Sequence, residues 1–173
     1  MSHTTKENFI KAKLFTRFDE LYAPVLPRIK ATVMQQQQII TDTFYAELSK
    51  DEAAAKIVAG RVDQLKATHK AWMEELFNGD YGDDYFDRRY KIGEIHVKAK
   101  IEPYYVEVVT SYLRRAFADA LIEEGAEAIQ ASLAILDLDA MIIIGAYHED
   151  RMRRMSEVTG MNQKLLETLM SFG

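Results

Sequence analysis

Residues 90–105 read "YKIGEIHVKAKIEPYY", and the reading of this stretch decides the fold. On a helix, Ile92 and Gly93 lie one turn before His96 on the same side, and Ala99 lies one turn after it. The imidazole therefore projects from an apolar face that lacks bulk. Gly93 costs about 1 kcal/mol against alanine in a helix interior. Close approach of a flat, apolar body to the backbone is one thing that would require that cost. A lone histidine on such a face is either a satisfied core residue or a ligand, and this stretch alone leaves both open.

Outward from His96, the chain reads as helix after helix. "TTKE" (Thr4 to Glu7) fits a capping box that opens a first helix near Lys6. Pro24 and Pro27 separate it from a longer helix, roughly 28–48, that ends in "TDTFYAEL". "SKDE" (Ser49 to Glu52) fits a second capping box before a short helix that Gly60 stops. "RVDQLKATHKAWMEELF" carries a partial helical pattern, and "NGDYGDD" is the strongest loop signal. The helix bearing His96 starts near Asp84. Pro103 suits the first turn of the next helix, which runs to about Glu124 before a turn at Gly125. From Ala126 to about Met170 there is no proline. No alternating Val/Ile/Thr stretch exists, so the fold class is all-α. The run "QQQQ" (Gln35 to Gln38) is too short to carry meaning.

Composition narrows the function. The chain has 173 residues, enough for one domain with a proper core. A net charge of −5 with the signs interspersed gives no nucleic-acid footprint. There is no Cys, which removes disulfides and thiolate metal sites and suits a reducing cytoplasm. No signal peptide and no run of ~18 apolar residues is read, so a cytoplasmic protein without a membrane span is expected.

The spacing of the four histidines limits the metal chemistry. Lys66, Gly93 and Gly145 stand three residues before His69, His96 and His148, so no Glu-x-x-His pair exists for a di-iron site. HExxH is absent, and without Cys no structural zinc set forms. One histidine in an apolar helical shell suits an axial ligand of haem better than a multi-ligand ion site. Nucleophilic catalysis lacks support, with no Cys, no G-x-S-x-G and no Gly-rich phosphate loop. The last helix adds a pattern of its own. Met141, Gly145, His148, Met152, Met155, Thr159, Asn162, Leu166 and Leu169 alternate in steps of four and three. This seam serves either the domain's own core or a partner helix. Its length favours the partner, with residues 1–150 as the domain and 151–173 as a coiled-coil-like linker.

These residues resemble the globin-coupled sensor family. Its haem-binding helix commonly reads Arg/Lys-Ile-Gly-x-x-His, then a hydrophobic corner, then Pro-x-Trp/Tyr. Lys91, Ile92, Gly93, His96, Pro103 and Tyr105 match, with Lys100 where a glycine is frequent and Tyr104-Tyr105 where a Trp is often found. On the distal side Phe44 and Tyr45 match the end of the family's B helix. Leu65 and Thr68, 31 and 28 residues before His96, match its E helix. The likeness spans about Glu20 to Tyr147.

The resemblance implies a globin fold with an extra N-terminal helix and a long C-terminal helix. It implies haem b with His96 as the metal ligand, lined by Phe44, Tyr45, Leu65, Thr68, Ile92, Gly93 and Tyr105. O2 (also CO and NO) would bind the open distal position, with Tyr45 donating a hydrogen bond and Thr68 a second. The domain would be a non-enzymatic sensor, a homodimer through its last two helices, signalling to an output module beyond this chain. Two other functions stay open: a stand-alone globin that carries O2 or oxidises nitric oxide, and a haem-free helical dimerisation domain. Residue by residue, Tyr45 can be an ordinary core tyrosine and Thr68 can bond back to the Gln64 carbonyl. His69, about 100° around the helix from Thr68, is a competing distal ligand. His148 reads as a dimer-contact or surface residue.

Overall fold

A computed structural model describes residues 4–171. Nine α-helices and one 3-10 turn account for the described chain, and no strand occurs among these residues. The helices are α1 (Thr5–Thr16), α2 (Phe18–Leu21), α3 (Leu26–Leu48), α4 (Glu52–Val58), α5 (Val62–Leu76), α6 (Asp83–Lys98), α7 (Pro103–Ala120), α8 (Ala126–Thr159) and α9 (Gln163–Ser171). The 3-10 turn (Ile122–Glu124) leads into Gly125 ahead of α8.

Local chemistry sets most of the boundaries. Thr4 caps α1 reciprocally: its hydroxyl accepts from the Glu7 N–H, and its own N–H donates to the Glu7 carboxylate at 2.8 Å. The second expected capping box is corrected. Asp51, not Ser49, caps α4 by accepting from the Ala54 N–H at 2.8 Å. Ser49 instead donates back to the Tyr45 carbonyl at 2.7 Å, closing α3. Pro27 and Pro103 sit in the first turns of α3 and α7, where no intrahelical N–H is needed.

Helix α8 is the spine. It packs against α1, α6 and α7, while α3 packs against α5 and α7. Over its most apolar stretch the mean hydropathy is 1.7, so by length and composition α8 could cross a membrane. This corrects the expectation that no such run exists. Here half of that stretch is buried inside the domain, and Asp139 within the helix is ion-paired to Arg89 at 2.7 Å. Both are features of a core helix.

The C-terminal pattern also differs from the expected continuous seam. Gly160, at φ +70°, ends α8, and α9 begins anew at Gln163 and packs back on α8. Met152 and Leu166 are buried in the domain's own structure. Gly145 is covered by the Thr5 side chain, which occupies the space a Cβ would take. Thr5 and Tyr90 then both donate to Glu149, at 2.8 and 2.6 Å, and this seats the start of α1 on α8. Of the seam, Met155 and Leu169 keep an exposed apolar side chain.

Candidate functional site

His96 lies in the last turn of α6, and the end of that helix is built around it. The Ile101 N–H donates to the His96 carbonyl at 3.0 Å and the Lys100 N–H to the Val97 carbonyl at 3.1 Å. This double closure requires a left-handed residue between helix and exit, and Lys100 takes that conformation at φ +57°. The His96 Nδ1 lies 2.8 Å from the Ile92 carbonyl oxygen. A carbonyl only accepts, so the proton sits on Nδ1 and the Nε2 of the neutral ring carries a lone pair. Burial lowers the His96 pKa, opposed by the Ile92 carbonyl and the Asp139 charge, so the ring is neutral at pH 7. Beside it, Ile92 and Val97 pack on Val106, Ile143 and Tyr147.

Gly93 serves a different purpose from the one expected. A Cβ there would lie 2.6 Å from the Ala146 Cβ and 2.7 Å from the Ile143 carbonyl oxygen. The missing side chain lets α6 and α8 approach closely. The space belongs to α8 and is not free for a cofactor.

Across the site, α3 and α5 bring Tyr45, Phe44 and His69 together. The Tyr45 and His69 rings meet edge to face at 6.2 Å, and Phe44 lies 5.4 Å from His69. Tyr45 is buried, and burial pushes its pKa up to about 12. Leu65 is half-buried on α5. Thr68 is exposed, and its hydroxyl donates to the Gln64 carbonyl at 2.9 Å. On α5 it is His69, not Thr68, that takes the inward side. Tyr105 is half-buried and spends its hydroxyl on Asp51 at 2.9 Å, tying α7 to the start of α4, so only its ring is left for a cofactor.

His69 is held on two sides. Its Nδ1 lies 3.0 Å from the Thr41 hydroxyl, and its ring stacks on Trp72 at 5.3 Å. Its Nε2 is buried with no partner among the described residues. Burial lowers the His69 pKa to about 4, so this ring is also neutral. Behind it, Trp72 Nε1 donates to Asp139 at 3.0 Å. Asp139 also accepts from Tyr85 at 2.9 Å and pairs with Arg89, which reaches Glu75 at 2.9 Å. Burial pulls the Asp139 pKa up, while Arg89, Tyr85 and Trp72 oppose that shift. Sequence reasoning missed this cluster, because nothing in the spacing of Trp72, Arg89 and Asp139 announces a shared partner.

The donor set fits a haem. The neutral His96 ring carries a nitrogen available to a metal, and His69 carries a second when its proton sits on Nδ1, in a shell of Phe44, Tyr45, Leu65, Ile92 and Val97. A buried polar atom without a partner costs about 1–3 kcal/mol, and His69 Nε2 is such an atom. The Tyr147 hydroxyl, buried beside Ile92 and Val97, is another. Among the described residues no three His, Cys, Asp or Glu side chains cluster to hold a bare metal ion.

The nine helices, with no strand among the described residues, have the all-α architecture of a globin. The model of the Protoglobin family matches residues 5–153, and the chain belongs to that family. Its structure is similar to the globin domain of a Geobacter sulfurreducens globin-coupled sensor, with a TM-score of 0.72 and 25% identity. That match covers 79% of this chain and 95% of the other. The extra N-terminal helix and the long α8 expected for this variant of the globin fold are both present.

Proposed function

We propose that this globin is a gas-sensing domain that holds haem b between His96 and His69. The observation that carries the reading is the His96 ring, whose Nδ1 faces the Ile92 carbonyl at 2.8 Å and leaves Nε2 as the ligand atom. A histidine that binds a metal commonly donates its other N–H in this way. His69 supports the second contact through its buried, unpartnered Nε2. It replaces Thr68 in the distal set.

Haem, when bound, supplies reversible binding of a diatomic gas such as O2, CO or NO at ferrous iron. The chain's own residues do the rest. Tyr45, kept protonated by burial, offers its hydroxyl proton to a gas carrying partial negative charge. Leu65 and Phe44 exclude water. His69 competes with the gas for the distal space, so its position reports occupancy. The domain would act as a homodimer in the cytoplasm and pass this signal to an output module. Tyr104 and Val108 on α7, and Met155 and Val158 near the end of α8, are exposed and would be covered by a second copy.

The test is O2 dissociation from the haem-loaded protein. A hydrogen bond to a charged group contributes about 1.5–3 kcal/mol, so Tyr45→Phe should release O2 roughly 10- to 100-fold faster and leave CO nearly unchanged. O2 release within about twofold of the parent, or failure to take up haem, would contradict the reading.

A further inference from the structure

We infer that Gln37 and Thr41 form a hydrogen-bond switch that sets whether His69 presents a proton or a lone pair to the pocket. The inference rests on the reading of His69 as a haem ligand. Thr41 is 1% exposed and Gln37 6% exposed, so water completes neither. Gln37 Nε2 donates to the Thr41 Oγ1 at 2.9 Å, and that oxygen lies 3.0 Å from His69 Nδ1. Other helical threonines of this chain spend their proton differently. Thr16, Thr68, Thr110 and Thr159 each donate to the carbonyl four residues back. Thr41 turns toward His69 instead.

The chain of donors has two self-consistent directions. A hydroxyl has one proton and two lone pairs, and a neutral imidazole has one N–H. With Gln37 Nε2 toward Thr41, as in this structure, Thr41 gives its proton to Nδ1 and His69 carries its own on Nε2. That ring offers a donor to the pocket and cannot bind a metal. With the Gln37 amide turned over, Oε1 takes the Thr41 proton and Thr41 accepts from Nδ1–H. The lone pair then stands on Nε2. The Thr41 hydroxyl keeps its proton in both directions, and the ring stays neutral: one proton leaves Nε2 for water and one from water adds at Nδ1, with no net exchange. Trp72 and Phe44 fix the plane of the ring but do not tell its two nitrogens apart. Thr41 does, and Gln37 decides which way.

Haem-loaded variants test this through the ferrous gas-free absorption spectrum and the rate of CO association. An ionised carboxylate in place of the amide can only accept, so Gln37→Glu, read at a pH high enough to ionise this buried group, should lock the lone-pair form. The low-spin fraction should rise and CO association should slow by about 2- to 10-fold, the worth of one hydrogen bond. Thr41→Val, of nearly the same shape, should shift both readouts the opposite way, and Thr41→Ser should restore the parent's values. If Gln37→Glu and Thr41→Val both match the parent while His69→Ala does not, the switch is overturned and the ligand reading stands. If His69→Ala also matches the parent, the ligand reading falls and the switch with it.

Discussion

The rings of His69 and Trp72 lie 5.3 Å apart and within 11° of parallel. Trp72 is anchored by its N–H to Asp139, and Asp139 is held by Arg89. His69 on α5 is thus braced against a buried ion pair that joins α6 to α8. A shift of the His69 ring bears on Trp72, and through it on the helix that carries His96. This gives the globin a short physical path from its pocket to α8.

Asp139→Ala should destabilise the fold. Arg89 is 1% exposed, and losing one partner of a buried pair costs about 3–5 kcal/mol. Tyr85 and Trp72 lose an acceptor as well. Urea unfolding measures the loss. A change under about 1 kcal/mol would mean that Glu75 alone satisfies Arg89.

Gly93→Ala should also destabilise, although alanine is the better helix former. The new Cβ would stand 2.6 Å from that of Ala146, and overpacking of this kind costs about 1–3 kcal/mol. The helix-propensity gain is about 1 kcal/mol, so the net effect is a loss. A stabilised variant in thermal unfolding would show that α6 does not sit this close to α8.

The haem-free protein should lose stability as pH falls. The His69 pKa is lowered by burial to about 4 in the folded state, against 6.5 in the unfolded chain. The unfolded chain therefore binds the proton first. The neutral ring's contribution is intact above pH 6.5, declines between 6.5 and about 4, and is exhausted below that. The total is on the order of 3 kcal/mol. His96, lowered in the same direction, adds to it. Urea midpoints across that range measure the slope, which His69→Phe should flatten. An unchanged slope in that variant would place the pH dependence elsewhere.

Much of the fold was legible because its signals are local. The capping box at Thr4, the prolines at 27 and 103 and the loop before Asp83 act over a few residues. The glycine-like place of Lys100 was legible too, and its φ of +57° gives the reason. What was not legible depends on rotation and on distant partners. One residue's difference in the facing of α5 exchanges Thr68 for His69, and spacing from His96 cannot resolve 100° on another helix. Gly93 looked like room for a cofactor because α8 is invisible from within α6. The heptad count ran through Gly160 because apolar steps of three and four do not register a left-handed residue. Gln37 sat in a glutamine run that composition gave no reason to divide.

The central claim is that this chain binds a haem iron between His96 and His69. The most direct measurement is the absorption spectrum of the ferrous, gas-free, haem-loaded protein beside His69→Ala and His96→Ala. The expected spectra are a parent with a six-coordinate low-spin fraction, a His69→Ala protein that is wholly five-coordinate and high-spin, and a His96→Ala protein that holds haem only loosely. A protein that takes up no haem, or one whose spectrum is the same in all three, would contradict it.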